Sequence, residues 1–387
     1  MSRPRVLVTC FPQSGHLHPL IPTARALADA GCRVLVATSA AEHATVRAAG
    51  LATFDLGPSH AQASARLSEM MPEILSAAPW ARRAIAFSFI FGRVYAASIA
   101  DDLFECAQSW RADVLFSGVE SLAGPLVAAR LGLPLVVSGF GTGLSKDVCE
   151  ATAREVVPLW ERAGLTVEPL AGIFNGLFVD PCPKSLHPDD VPLAPRSQPV
   201  RPAQFDGVGD LPPLPTRRPL IYVTFGTNPM FATPERLRMI AEAIAAAGAG
   251  AVITGLEPAE LTDLPKGILA HQFIPQSVLL PHCDAVICHA GASTLFGALA
   301  RGLPLLLVPL GADHFANARA AVQRGVAVAL GANVDDRSVV ASLTRVLTDP
   351  QLRGSAAEVA EEIAAMPNAA AAADGILAWL GERSSTA

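Results

Sequence analysis

A turn of small and hydroxyl residues, His289-Ala-Gly291-Ala-Ser293-Thr294, lies between a short apolar run and a helical pattern. Small residues let the backbone approach a ligand closely, and a helix N-terminus presents unpaired N–H groups and a partial positive charge. Ser293 and Thr294 add hydroxyl donors. The turn is therefore suited to a diphosphate, although a glycine turn followed by hydroxyl helix caps would have the same composition.

A histidine, His16, follows the first apolar run of the chain in the sequence Gly15-His16-Leu-His18-Pro19. Imidazole titrates near neutrality, so a histidine can remove a proton from an attacking hydroxyl at physiological pH. His18 is the alternative base, and many loop histidines are only structural. Residue type and position indicate general-base chemistry at His16.

Alternating strand and helix patterns place these residues at the ends of strands. Apolar runs at 5–10 and 33–38 flank a helical pattern at 19–30, which predicts a parallel βαβ unit. Ligands of such sheets bind beyond the carboxyl ends of the strands, so the loops that follow the strands are the candidate sites. Further strands are predicted at 114–117, 135–138, 220–225, 251–254, 286–288 and 305–308, with helices at 122–131, 234–247 and 292–300.

A proline-rich segment divides the chain into two α/β series. Eight prolines fall between residues 192 and 219, which is typical of a domain connector. We therefore predict an N-terminal domain at 1–210 and a C-terminal domain at 211–387. The helical, alanine-rich segment after Pro367 either caps the second domain or returns to the first.

Composition limits the class of protein. The 387 residues are 51% hydrophobic and 17% charged with a net charge of -6, which argues against disorder and against nucleic-acid binding. No run is long enough to predict a membrane span. The odd number of widely spaced cysteines indicates a reducing compartment, and we predict a cytoplasmic protein. A homodimer is left open.

Four segments in this order resemble the nucleotide-sugar-dependent glycosyltransferases of the GT-B fold. They are Gly15-His16-Leu-His-Pro19, Phe273-Ile-Pro-Gln276, the 289–294 turn and Pro309-Leu-Gly-Ala-Asp313-His314-Phe-Ala-Asn317. More specifically, these segments resemble those of the bacterial enzymes that glycosylate antibiotics and other secondary metabolites. It implies two Rossmann-like, doubly wound parallel-sheet domains that face an interdomain cleft.

The resemblance also implies roles for individual residues. His16 matches the general base, the ring of Phe273 matches a stack on the donor base, and Gln276 matches a residue near the ribose. The 289–294 turn matches the diphosphate-binding turn of the family, and Thr227 matches a hydroxyl that reaches the phosphates from the opposite loop. Asp313 matches the acidic half of a pair that hydrogen-bonds the hydroxyls of the donor sugar. The predicted donor-binding residues are Thr227, Phe273, Gln276, His289, Gly291, Ser293, Thr294, Asp313 and His314.

An apolar small-molecule acceptor is the second predicted partner. Aromatic and methionine side chains suit an adaptable apolar pocket, although the same residues at helical spacing are often core packing. The region around 70–95 matches the variable acceptor segment of the family. The predicted acceptor-binding residues are Met70, Trp80, Phe87, Phe91 and Phe140.

Three positions depart from the family pattern. Gly118 stands where an acidic partner of the base is common, so Glu120 is the candidate for that role. His314 stands where a glutamine is common in the family, so a deoxysugar with fewer hydroxyls is one alternative for the donor sugar. Gly297 stands where a ribose-binding glutamate is common, which leaves UDP and dTDP as alternatives.

No Asp-x-Asp motif and no metal-ligand spacing occur in the sequence, so neither a metal nor another cofactor is expected. The resemblance and a single direct displacement predict an inverting glycosyltransferase. Two alternatives are a nucleotide-sugar 2-epimerase-like enzyme, which shares the two-domain architecture, and a non-catalytic nucleotide-sugar-binding auxiliary protein.

Overall fold

The computed structural model describes residues 3–77, 82–207, 209–226, 231–331 and 335–386. The chain divides into two compact units. The first unit contains residues 1–182, 188–203 and 367–387, and the second contains 183–187 and 204–366. Apart from the short segment 183–187, the main chain therefore enters the second unit at Gln204 and returns to the first after Met366.

A seven-stranded sheet forms the centre of the first unit, and every strand pair is parallel. The strand order is 3-2-1-4-5-6-7, in which the first and fourth strands lie side by side at the centre. Helices cover both faces of such a sheet, and its central strands are accordingly apolar along their length. The strands are β1 (Arg5–Thr9), β2 (Arg33–Thr38), β3 (Ala52–Asp55), β4 (Val114–Gly118), β5 (Leu135–Ser138), β6 (Leu177–Asp180) and β7 (Ser197–Pro199).

The helices of the first unit include one continuous run from Arg82 to Trp110 whose middle, Ser88–Ala96, is π-helical. Its Tyr95, Ile99 and Leu103 are fully buried in the core of this unit. The helices are α1 (Ser14–Asp29), α2 (His43–Ala48), α3 (His60–Ser76), α4 (Arg82–Phe87), α5 (Ala97–Trp110), α6 (Ala123–Leu131) and α7 (Lys146–Arg162).

The second unit contains a six-stranded parallel sheet in the order 10-9-8-11-12-13. Strands are β8 (Leu220–Thr224), β9 (Gly250–Thr254), β10 (Ile268–His271), β11 (Ala285–Cys288), β12 (Leu305–Leu307) and β13 (Ala327–Ala329). Helices are α8 (Pro234–Ala246), α9 (Gln276–Leu279), α10 (Ala292–Leu299), α11 (His314–Gln323), α12 (Asp336–Thr348) and α13 (Pro350–Ala365).

The last helix, α14 (Ala369–Thr386), belongs to the first unit and packs on α1, β6 and β7. Part of the proline-rich connector is also structured, because Ser197–Pro199 forms the edge strand β7. An edge strand tolerates proline since one side of its backbone needs no partner strand.

The first helix differs from its prediction at 19–30, because α1 already begins at Ser14. Pro19 and Pro22 lie inside this helix. A proline inside a helix removes a backbone N–H donor and crowds the preceding turn, yet α1 continues through both positions. His16 consequently lies in the first turn of a helix rather than in a loop.

Length and hydropathy alone would allow one helix among the described residues, Arg82–Trp110, to cross a membrane. Of its most apolar window, 44% is buried inside the protein. The bent pair formed by α13 and α14 passes the same test when the two helices are taken together.

Candidate functional site

The side chains of His16 and Glu120 face each other at the carboxyl ends of β1 and β4. These strands are parallel neighbours, so the loops that follow them lie at the same edge of the sheet. The distance from Nδ1 of His16 to Oε2 of Glu120 is 3.6 Å, and the Glu120 side chain is only 1% exposed. The backbone N–H of Phe11 donates to Oε1 of Glu120 at 3.1 Å. The carboxylate is thus held between the backbone and the imidazole.

Gly118 leaves the space that the Glu120 carboxylate occupies. After β4 the chain turns tightly, and the N–H of Ser121 donates to the Gly118 carbonyl at 2.9 Å. This turn directs Glu120 back over the end of the strand. A Cβ atom on Gly118 would lie 2.5 Å from Oε1 of Glu120, which is closer than van der Waals contact allows. A side chain at 118 and the observed position of Glu120 are therefore incompatible.

Aromatic rings surround the imidazole of His16. The rings of Phe11, Phe91 and Phe140 have centroids 5.6, 5.4 and 5.0 Å from that of His16, all in edge-to-face arrangements. Phe91 lies in the π-helical segment, and π-helical turns occur frequently at functional sites. Phe87 is buried and packs on Phe91, with ring centroids 4.6 Å apart. The wall beside His16 is thus apolar.

A second histidine, His60 at the start of α3, lies on the other side of the Phe11 ring. Its centroid is 5.7 Å from that of Phe11, and its Nε2 lies 3.1 Å from the hydroxyl of Ser64. Burial and the neighbouring His16 lower the pKa of His60. No sequence motif marks His60 as a site residue.

The 289–294 turn follows β11 and leads into α10, as the sequence predicts. Gly291 has an extended backbone at the N-cap, Ser293 is exposed and Thr294 is buried in the first turn. Ala290 has a positive φ of 68°, which is strained for a residue with a side chain. Nδ2 of Asn317 donates to the Ala290 carbonyl at 2.9 Å and so holds this conformation.

His289 and His314 form a buried pair of rings beside this turn, with centroids 4.5 Å apart. Phe231 packs on both rings. Burial, followed by the neighbouring His314, lowers the pKa of His289 to about 4. Burial also lowers the pKa of His314, while Asp313 opposes that shift. Both rings are therefore neutral at pH 7.

Asp313 precedes α11, and one of its oxygens, Oδ2, accepts a hydrogen bond from Nδ2 of Asn317 at 2.7 Å. Asn317 thereby connects the Asp313 carboxylate to the backbone of the 289–294 turn. The sequence predicts Asp313 as a sugar-binding residue, and the structure places it on the loop after β12, next to β11 in the sheet.

Gln276 lies at the start of α9 within a chain of polar side chains. Its Nε2 donates to the hydroxyl of Thr294 at 2.9 Å and to that of Tyr222 at 3.4 Å. Its Oε1 accepts from Nε2 of Gln204 at 3.1 Å. Phe273, three residues earlier, is 61% exposed and so is available for stacking rather than buried in the core.

Some of the predicted residues cannot be placed. Thr227 and Trp80 lie outside the described residues. Met70 lies in α3, but its side chain is not among those described. Among the residues that the structure describes, no group of three or more His, Cys, Asp or Glu side chains could hold a metal ion.

Comparison with known proteins identifies the family. Residues 25–201 match the N-terminal domain, and residues 238–378 the C-terminal domain, of the family described as erythromycin biosynthesis protein CIII-like. The chain belongs to this family. Its relatives include L-demethylnoviosyl transferase of Streptomyces niveus, which is 30% identical over 97% of this chain and 98% of its own. Elloramycin glycosyltransferase of Streptomyces olivaceus is 30% identical over 94% of each chain.

Solved structures of glycosyltransferases have the same fold as this chain. A glycosyltransferase of Streptomyces sp. SF2575, complexed with thymidine diphosphate, has a TM-score of 0.78 at 27% identity and covers 97% of this chain and 99% of its own. The glycosyltransferase SnogD of Streptomyces nogalater has a TM-score of 0.76 at 28% identity over the same shares. The predicted GT-B fold with two parallel-sheet domains is confirmed, and so is the resemblance to antibiotic glycosyltransferases.

Several residues at the site of this glycosyltransferase were missed at the sequence level. Phe11, Phe231 and His60 carry no motif of their own and contact the predicted residues only in three dimensions. Gln204 lies in the proline-rich connector, where composition predicted only a linker. Asn317 was part of a quoted motif but received no role, although an amide four residues after Asp313 on a helix is within reach of it.

Proposed function

We propose that this glycosyltransferase transfers a deoxysugar from a thymidine-diphosphate sugar to a hydroxyl of an apolar natural-product acceptor, with inversion and with His16 as the general base. The observation that carries the proposal is the position of His16, whose Nδ1 faces the buried Glu120 carboxylate. The relatives named for demethylnoviosyl and elloramycin glycosyl transfer support the class of substrates.

The arrangement of His16 and Glu120 supports base catalysis. A carboxylate facing Nδ1 favours the tautomer with the proton on that nitrogen, which leaves Nε2 to accept a proton. As the acceptor oxygen forms its bond to the anomeric carbon, its proton passes to Nε2 of His16. Glu120 then stabilises the imidazolium that results, as an oriented carboxylate does in other histidine-based sites.

The aromatic wall beside the base supports an apolar acceptor. Phe91 and Phe140 are half-buried and contact the His16 ring, so their outer edges can pack on an aglycone. Phe87 is buried and packs on Phe91, so it supports this wall from the core. Aromatic rings suit a flat apolar acceptor that carries a hydroxyl group.

The 289–294 turn supports binding of the donor diphosphate. The carbon–oxygen bond between the anomeric carbon and the diphosphate breaks in the same step, and the diphosphate leaves with the bonding electrons. The N-terminus of α10 and the hydroxyl of Ser293 offer hydrogen-bond donors to its charge. We propose that no metal is required, because donors of this kind can stabilise the leaving group. A single displacement inverts the anomeric centre.

The test compares His16→Ala with the wild type and with His282→Ala. His282 is an exposed histidine before β11, at the end of the sheet opposite the 289–294 turn. We expect His16→Ala to lower the rate of transfer by about 10²-fold or more while thymidine diphosphate still binds. His282→Ala should match the wild type in both measurements.

Other results would exclude the proposal. Equal turnover by His16→Ala would exclude His16 as the base. Donor binding without transfer to any acceptor in a broad panel of phenols and aglycones would favour the auxiliary protein. Epimerised donor without an acceptor would favour the epimerase alternative, against which family membership already argues. Transfer that is lost in EDTA and restored by Mg²⁺ would exclude metal independence.

A further inference from the structure

Gln204, a glutamine of the proline-rich connector, belongs to the second unit, which contains the proposed donor-binding residues. It is the first residue of the second unit after the main chain crosses from Ala203. The segment that follows is fixed to the start of α9, because the carboxylate of Asp206 accepts hydrogen bonds from the N–H and the hydroxyl of Ser277 at 2.6 and 3.1 Å. Gln204 is therefore held in a defined position on this unit.

The side-chain amide of Gln204 fills the space beside Gly297 on α10. A Cβ atom on Gly297 would lie 2.1 Å from Nε2 and 2.9 Å from Cδ of Gln204. Any side chain at 297 would thus displace the amide. The missing side chain at position 297 of α10 and the amide of Gln204 therefore belong to one packing arrangement: the glycine leaves the space, and the amide fills it.

The same amide begins the chain of hydrogen bonds that reaches the 289–294 turn. Nε2 of Gln204 donates to Oε1 of Gln276, and Nε2 of Gln276 donates to the Thr294 hydroxyl. Gln276 can donate to Thr294 and accept from Gln204 in only one orientation of its own amide. The side-chain carbonyl oxygen of Gln204, Oε1, makes no hydrogen bond with any residue in the described part of the chain.

We propose that Gln204 is a donor-binding residue whose carbonyl oxygen accepts a hydrogen bond from a hydroxyl of the donor's pentose. The inference rests on the proposed function, in which the N-terminus of α10 binds the diphosphate. Gly297 is four residues beyond Ser293, about 6 Å along the helix axis. The pentose is bonded directly to the diphosphate, so we place it beside this second turn. There Gln204 supplies polar atoms at the position where Gly297 has none.

The experiment measures binding of thymidine diphosphate and of inorganic pyrophosphate to the full chain by calorimetry. The variants are Gln204→Ala, which removes the side chain, and Gln204→Met, which keeps its length but not its amide. We expect both to raise the Kd for thymidine diphosphate about tenfold, the effect of one lost hydrogen bond. The Kd for pyrophosphate should be unchanged, which also shows that the second unit is folded.

The matched control is Gln198→Ala. The side chain of Gln198 lies against a glycine in the same way, since its Oε1 would be 2.1 Å from a Cβ atom on Gly375, but both residues belong to the first unit. This variant should bind both ligands as the wild type does.

The outcomes separate the two levels of the proposal. If the wild type binds neither thymidine diphosphate nor pyrophosphate, the proposed function fails. If the wild type binds both and Gln204→Met binds thymidine diphosphate equally well, the role of the amide is wrong and the proposed function stands. If Gln204→Ala weakens both ligands equally, the residue supports the 289–294 turn and does not bind the pentose.

Discussion

Replacing Glu120 by glutamine removes the negative charge beside His16 with almost no change of volume. In the structure, Oε2 of Glu120 lies 3.6 Å from Nδ1 of His16, and its other oxygen accepts the N–H of Phe11. A glutamine can keep that second hydrogen bond through its carbonyl oxygen. The substitution therefore tests the charge of the carboxylate, with the packing of the loop preserved.

The expected loss follows from the distance between the two groups. Unit charges 3.6 Å apart attract each other by about 4–5 kcal/mol at an effective dielectric constant of about 20. Solvent reaches the His16 side chain, which is 14% exposed, so the attraction in the transition state is smaller. A loss of about 3 kcal/mol lowers the rate about 10²-fold.

The assay is the rate of transfer under saturating donor, with donor binding measured separately. We expect kcat to fall about 10²-fold for Glu120→Gln, with an unchanged Kd for thymidine diphosphate, because the proposed donor residues belong to the second unit. The double variant Glu120→Gln/His16→Ala should be no slower than His16→Ala, since the two residues act together. Additive losses in the double variant, or wild-type turnover by Glu120→Gln, would refute the reasoning.

Three further predictions concern the two units separately. Gly118→Ala should lower kcat about tenfold or more in the same assay, because its Cβ would meet the buried carboxylate; an unchanged kcat would contradict this. Phe273→Ala should weaken thymidine diphosphate binding by about 1 kcal/mol and leave stability within about 0.5 kcal/mol, whereas the control Val322→Ala should leave binding unchanged in calorimetry. The pKa of His289 is lowered to about 4 in the folded protein, below its ordinary value, so its contribution to stability is lost as the pH falls from about 6.5 to about 4. Urea unfolding should show a loss of about 3 kcal/mol from His289 over that range, to which His314 adds because its pKa is lowered too. The loss should be smaller in His314→Gln, which removes both that titration and the histidine beside His289; identical pH profiles would exclude the coupling.

The parts of the fold that the sequence predicts well are those whose signal is local. The strand at 135–138 is reproduced, because a buried parallel strand is apolar along its length and needs no distant contact to be recognised. The start of α1 was predicted five residues too late. Pro19 is a local signal against a helix, and it is outweighed by the packing of the whole helix on α14 and on the strands β2 and β4.

The parts of the site that the sequence does not show depend on distant contacts. The sequence selected Glu120 as a candidate partner for His16, but whether it reaches the imidazole depends on the turn after β4. Gln204 and Gly297 are 93 positions apart, and nothing in either segment indicates that one fills the space left by the other. No short-range pattern carries such information, because the contact is set by how the connector lies on α9 and α10.

Gly118 and Gly297 bear directly on whether this chain is an active enzyme. Each is a position where the family commonly carries an acidic side chain, and a missing acid at both would favour a protein that has lost turnover. In both places, however, the space is occupied by a polar side chain from a nearby segment, Glu120 in one unit and Gln204 in the other. A glycine that had simply lost its function would leave a cavity or an apolar contact. Because the carboxylate of Glu120 also faces His16, we propose that Glu120 takes the role of the acid missing at 118, which favours an active glycosyltransferase over an auxiliary protein.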